Sequence, residues 1–175
     1  MNVGKHFEQM FRKSIPEYCY VYRLKDSAQS YNNSGNTKFS WDNPCDFFVF
    51  DTNRRILFAL ELKSTKSKSM TYEFGDIDSS GKMIKKHQIK SLADMSKYPG
   101  IVSGFIFNFR DEKNNTERTY FQPIRDFAKM CISIDKKSFN ESDLLTNHSI
   151  EIKGTKKRVN YSWNIDKFIT EYTEV

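Results

Sequence analysis

Apolar residues at Val3, Phe7, Met10, Phe11 and Ile15 recur with helical spacing, which predicts an amphipathic helix over residues 2–15 that Pro16 ends. Glu8 falls on the border of that stripe. Residues 18–25 read as a strand. Residues 26–44 are rich in Ser, Asn and Gly and carry two isolated bulky aromatics, Phe39 and Trp41, which predicts a long exposed loop. Two strand-like runs follow, DFFVFD at 46–51 and ILFALELK at 56–63, joined at hairpin spacing through Thr52, Asn53, Arg54 and Arg55. They should be antiparallel neighbours.

Residues 64–82 are polar and hold Gly75 and Gly81. Helical spacing then returns over 83–98 through Ile84, Gln88, Leu92 and Met95, and Pro99 and Gly100 stop it. Residues 101–109 are apolar enough for a buried central strand, 111–117 form a charged turn, and 119–122 return as its partner. A short helix is expected at 124–130. Further on come a capping box at Ser138 and Glu141, a hairpin over 150–163 turning near Gly154, and a last helix at 165–172. No repeat or low-complexity tract interrupts this order. Helices alternating with strands predict an α/β or α+β sheet with helices packed on its faces, in a single domain spanning 1–175.

Composition narrows the class. Hydrophobic residues make up 38% of the 175 positions and aromatics 15%, enough large side chains to build a core and exclude wholesale disorder. Uninterrupted apolar runs of about five residues are far shorter than a membrane span, and no signal-peptide pattern opens the chain, so a soluble intracellular protein is expected. Cys19, Cys45 and Cys131 are odd in number and widely spaced. They build neither a disulfide framework nor a local C-x-x-C site, which fits a reducing compartment. The formal charge of +6 points weakly to a polyanionic partner, although many soluble proteins carry as much for solubility.

The chemically informative segments are Pro44-Cys45-Asp46 and Glu61-Leu62-Lys63. Alternation along the second strand puts Glu61 and Lys63 on one face and Ile56, Phe58, Leu60 and Leu62 on the other. Antiparallel pairing brings Asp46 close to Glu61, and two adjacent carboxylates repel unless they share a hard divalent cation such as Mg²⁺. Lys63 would then stand beside an attacking water or offset the charge of a pentacovalent phosphate. The competing reading is a same-face Glu61–Lys63 ion pair on a solvated sheet, contributing about 0–1 kcal/mol. Glu8 is a third candidate carboxylate, or else the i,i+4 partner of Arg12. Gln88 lies within an apolar stripe, where its amide needs a partner, either a water or phosphate at the site or the local backbone. Lys66, Lys68, Lys82, Lys85, Lys86 and Lys90 suit a phosphate-tracking rim, or a solvated helix face. No P-loop, dinucleotide-binding, zincin or nucleophile-elbow motif occurs.

Taken in order, GKHFE on the first helix, a polar loop, PCDFFVF, ALELKSTKSKS and KKHQ on a later helix resemble the PD-(D/E)xK nuclease superfamily. Within it, residues 3–125 look like the RecU-type Holliday junction resolvases, especially their short phage-encoded relatives. The resemblance implies a restriction-endonuclease-like mixed β-sheet flanked by helices. It further implies a Mg²⁺-dependent endonuclease, with Mn²⁺ able to substitute, that works as a homodimer in the cytoplasm of a bacterial or phage-infected cell. Such an enzyme cuts a four-way DNA junction at two symmetrical strands; other DNA structures, or a non-catalytic DNA-binding module on the same scaffold, are the alternatives. By position, Asp46 and Glu61 would be metal ligands together with the Leu62 carbonyl, Lys63 the catalytic lysine, Glu8 an auxiliary carboxylate and Gln88 a water-orienting group. Cys45 departs from the small hydroxyl residue often found before the aspartate, and a thiol is a poorer ligand for a hard ion. Residues 27–43 occupy the place of a projecting stalk, where Lys38, Phe39 and Trp41 would meet DNA at the junction centre; the alternative is a loop whose Trp41 folds back as a hydrophobic plug. Lys66, Lys68, Lys85, Lys86 and His87 are the other candidate DNA contacts.

Overall fold

The computed structural model describes residues 3–24, 43–74 and 81–173. Loop residues 25–42, with Lys38, Phe39 and Trp41, lie outside the described residues.

Helix α1 (Val3–Lys13) leads into strands β1 (Cys19–Arg23), β2 (Phe47–Asp51), β3 (Ile56–Thr65) and β4 (Ser69–Thr71). Helix α2 (Lys86–Met95), β5 (Ile101–Asp111), β6 (Thr116–Pro123) and α3 (Ile124–Ser133) follow. The chain continues through β7 (Ser138–Asn140), α4 (Glu141–Thr146), β8 (Ile150–Glu151), β9 (Gly154–Lys156), β10 (Tyr161–Trp163) and α5 (Ile165–Thr173). Six strands make the central sheet in the order β1-β2-β3-β5-β6-β8. Every neighbouring pair is antiparallel except β3 and β5, which run parallel from Leu57↔Ile101 to Thr65↔Phe109. A parallel pair requires a crossover, and the segment with β4 and α2 supplies it. The mixed sheet flanked by helices is the expected architecture.

Alternation along the central strands divides the core in two. Phe58, Leu60, Leu62, Ile106 and Phe121 face α1, α5 and the β9–β10 hairpin, where Phe7, Phe11, Trp163 and Phe168 close the layer. Ala59, Phe105, Phe107 and Tyr120 face α2 and α3, with Leu92, Phe127 and Met130. Sheet and helices therefore bury apolar faces on both sides, the geometry of long, nearly continuous apolar strands. Gly104 of β5 lies against the neighbouring strand β6 with no room for a side chain: a Cβ there would stand 2.4 Å from the Gln122 carbonyl and 2.6 Å from the Phe121 ring.

Four elements differ from the sequence expectation. The helix expected from Met83 begins at Lys86, because Ile84 pairs with Tyr72 in a β-bridge and enters the core from there rather than from a helical stripe. The polar stretch at 64–82 contains β4, which pairs with β7 through Met70↔Phe139. A three-residue strand whose partner lies far along the chain leaves no local periodicity. The capping box is Asn140–Asp143, not Ser138–Glu141, since Ser138 belongs to β7. The hairpin expected over 150–163 is split: β8 joins the main sheet beside β6, and β9 pairs with β10 on its own.

Candidate active site

The β2–β3 ladder ends at Phe47↔Leu60, and the chain immediately before it builds the site. The Asp46 N–H donates to the Leu60 carbonyl at 3.1 Å. One step on, β2 has no backbone acceptor to offer, and the Asp46 carboxylate takes that place: its Oδ2 accepts the Leu62 N–H at 2.7 Å. Because the N–H and C=O of a strand residue point to the same side, the Leu62 carbonyl also faces the end of β2. Alternation puts Glu61 beside Ala59, on the α2 side of the sheet.

Glu61 is buried and held from two directions. Lys63 Nζ lies 2.8 Å from its Oε1, and Gln88 Nε2 donates to the same oxygen. The orientation of Gln88 is fixed in turn by the Lys85 N–H, which donates to its Oε1 at 3.0 Å in the first turn of α2. The local backbone is thus one partner of this amide, as the sequence allows; the other is the Glu61 carboxylate, in place of the expected water or phosphate. Glu73 secures that helix end, accepting from the Lys86 N–H at 2.9 Å and from Lys85 Nζ at 3.0 Å.

Burial, then the charge of Glu61, push Asp46 up to about 7, against the opposing effects of the Leu62 N–H and Lys63; Glu8 raises it further. Two desolvated carboxylates so close oppose each other's ionisation. Glu8 reaches this neighbourhood from α1, but its ion pair is with Arg23 of β1, at 2.7 Å, rather than with Arg12. The buried Cys45 thiol donates to the Phe47 carbonyl at 3.4 Å, and burial followed by the charges of Glu61 and Asp46 pushes it up to about 12.

Among the described residues, no three His, Cys, Asp or Glu side chains converge on a ready-made metal site. What the end of the β2–β3 ladder offers is a carboxylate pair and a backbone carbonyl, all hard oxygen donors, next to a thiol that burial keeps protonated and that donates to the Phe47 carbonyl. That donor chemistry is of the kind a hard divalent cation such as Mg²⁺ or Mn²⁺ takes, and such an ion would relieve the repulsion felt by Asp46.

The expected DNA contacts are dispersed. Lys66 and Lys68 are exposed at the turn after β3, lining a groove of about 710 Å³ that Arg110, Lys113 and Arg118 also line. Lys86 and His87 are exposed on the first turn of α2, while Lys85 is tied to Glu73. Sequence reading missed Arg23 and Glu73, each of which is joined to its partner by folding and carries no motif of its own. It missed the arginines of the groove for the same reason.

No family model matches the chain. The SPbeta prophage-derived uncharacterized protein YotM of Bacillus subtilis (strain 168) is 33% identical over 182 residues, covering 97% of this chain and 86% of YotM. The chain belongs to the YotM family. Among solved structures, the Archaeoglobus fulgidus Holliday junction resolvase Hjc, from an archaeal hyperthermophile, aligns over 81% of this chain and 91% of its own at 14% identity and a TM-score of 0.45. At that level nothing functional is carried over from it.

Proposed function

We propose that this member of the YotM family is a divalent-metal-dependent endonuclease that cuts branched DNA, with the four-way junction as its substrate. One observation carries the reading: the Asp46 and Glu61 carboxylates act on each other where the β2–β3 ladder ends, and the Lys63 ammonium is bonded to Glu61. A buried pair of carboxylates beside a lysine is poor structural design, since burial and mutual repulsion both disfavour it. It suits a site that receives a cation and a phosphodiester. The ordered motifs shared with PD-(D/E)xK nucleases support the same chemistry, and the prophage origin of YotM suits a phage-borne enzyme of DNA processing.

Asp46 Oδ1, Glu61 Oε2 and the Leu62 carbonyl would hold the metal ion, the other carboxylate oxygens being engaged by the Leu62 N–H, Lys63 and Gln88. Bound there, Mg²⁺ supplies Lewis-acid activation of water and offsets phosphate charge. Gln88 and Lys63 keep the Glu61 carboxylate in one orientation. Lys63 also presents its ammonium where negative charge grows on the phosphate oxygens, the position in which a fixed cation stabilises a transition state. Glu8, restrained by Arg23, adds negative charge near Asp46 and assists cation capture. We assign the active form as a homodimer, matching the two-fold symmetry of a junction cut on opposed strands.

The test is cleavage of a synthetic four-way junction and of a linear duplex with the same arm sequences, with Mg²⁺ and with chelator. Paired nicks near the branch that require the metal are expected. Equal cutting of both substrates removes the junction assignment, and no metal-dependent cutting of either removes the enzyme.

A further inference from the structure

The sheet face that carries Glu61 continues past the carboxylates to the open edge of the sheet. In β1, Cys19 and Val21 turn into the α1/α5 core, while Leu24, just beyond the strand, packs with the α2/α3 core. Tyr20 and Tyr22 therefore stand on the Glu61 face, opposite Phe50 and Phe48. The Leu24 N–H donates to the Asp46 carbonyl at 2.9 Å, so the row running outward from the carboxylates is Leu24, Tyr22, Tyr20. Tyr20 is 63% exposed and Tyr22 51%. Among the described residues, neither ring packs on another aromatic and neither hydroxyl has a hydrogen-bond partner. Same-face neighbours on a strand lie about 6.6 Å apart, a span comparable to one step along an unstacked nucleic-acid strand. On the other face of the same edge strand, the one that Cys19 and Val21 share, Arg23 joins Lys5, Gln9 and Arg12 in lining a cleft of about 280 Å³ around Glu8.

We infer that Tyr22 and Tyr20 form a stacking platform for unpaired bases of the strand whose phosphate lies at Asp46 and Glu61. The inference rests on the nuclease reading and narrows it: the strand must be unstacked next to the cut, because paired bases keep their faces against one another. Exposed aromatic rings on one face of an edge strand, with cations on its other face for a backbone that passes around the edge, provide what a single strand requires, rings for bases and cations for phosphates. A second copy of the chain suits this edge less well, since two-fold pairing of β1 edges brings the Lys5–Arg12–Arg23 cluster toward its own image.

The experiment measures binding of a fluorescent oligo(dT) strand, and of a four-way junction carrying 2-aminopurine next to the cut, in Ca²⁺ to suppress turnover. Wild type is compared with Tyr20→Ala, Tyr22→Ala and the double Phe variant, and thermal melting verifies folding. Each Ala substitution should weaken oligo(dT) binding by roughly 5- to 150-fold, with Tyr22 giving the larger loss. The double Phe variant should bind as wild type does, and 2-aminopurine emission should change with wild type but not with the Ala variants. Wild-type affinity in both Ala variants overturns the platform. So does conversion of a dimer to a monomer by either Ala substitution in sedimentation equilibrium, which would make this face a contact between copies. Metal-dependent cutting that survives alongside either result leaves the nuclease reading standing, whereas failure of the wild type to bind any DNA ends both.

Discussion

Two aspartates bracket β2, and the chain treats them in opposite ways. Asp51 is fully buried and fully partnered: Oδ1 accepts from the Asn53 and Arg54 N–H groups at 2.9 and 3.2 Å, and Oδ2 accepts from Arg54 Nη1 at 3.0 Å. Arg54 continues to Thr170 of α5 at 3.0 Å, so this carboxylate closes the β2–β3 turn and pins the last helix. Asp46 receives the Leu62 N–H and faces a second carboxylate. Burial alone does not mark a functional acid. Acceptor capacity left over after the fold has taken its share does.

Breaking the comparison at the Asp46 end should produce the largest effect. Asp46→Ala, Glu61→Ala and Lys63→Ala should each lower single-turnover junction cleavage by roughly 10²- to 10⁴-fold or more while retaining junction binding. Asp51→Ala, assayed below its melting temperature, should still cut. Wild-type rates in the first three variants, or a comparable loss in the fourth, would erase the functional distinction between the two ends.

Stability should move the other way. Asp46 is raised to about 7 from an ordinary value near 4, so the folded state prefers its protonated form. Its contribution to stability is complete below the unfolded value and is lost as pH rises through about 7. With chelator present, Asp46→Asn should therefore stabilise the protein above pH 8, by about 2–4 kcal/mol, and the gain should vanish near pH 4. Asp51→Ala should cost about 2 kcal/mol, read as a lower denaturant midpoint at unchanged slope. A destabilised Asp46→Asn protein at pH 8 would show that this carboxylate is structural after all.

How much of this was visible in the sequence follows from the range of the interactions. The β2–β3 hairpin was legible because its apolar runs and four-residue connection are local, and with it came the placement of Asp46 against Glu61. The central strand β5 was legible from its apolar run and the helix α1 from its stripe. Pairings that close over long separations were not: β4 with β7, and Glu8 with Arg23, have no spacing to betray them. Gln88 was singled out for the cost of an unpartnered amide, but its two partners follow from where α2 begins. That start was misjudged, because Ile84 contributes to the core through a β-bridge that apolar periodicity cannot distinguish from a helical turn. The Tyr20–Val21–Tyr22 alternation was present all along, and it meant little until the register set it in line with Asp46.

The support behind Glu61 gives a smaller effect. Gln88→Ala frees the Oε1 side of Glu61 and removes the acceptor for the Lys85 N–H, and should lower cleavage about 10- to 100-fold with a weaker apparent Mg²⁺ affinity. Glu73→Gln, which keeps the shape but weakens the hold on the α2 N-terminus, should give a lesser decrease in the same direction. A change in cleavage without any change in Mg²⁺ dependence would place Gln88 outside the metal-holding group.

The smallest effect compares the cysteine beside each aspartate. Burial followed by the charges of Asp51 and Asp166 pushes Cys19 up to about 11, and Cys45 at the other end is pushed to about 12. Both thiols are buried, so neither should be a thiolate at pH 8, and the thiolate is the reactive form. A disulfide reagent should consume no thiol rapidly in the native protein and all three in urea, with Cys19 reacting before Cys45 at intermediate denaturant because its surroundings are the less desolvated. Rapid native reaction of Cys45 with loss of cleavage would mean that the β2 end of the hairpin opens to solvent. In that case the desolvation that raises Asp46 could not hold either, and the pH-dependent gain of Asp46→Asn should be absent from the same preparation.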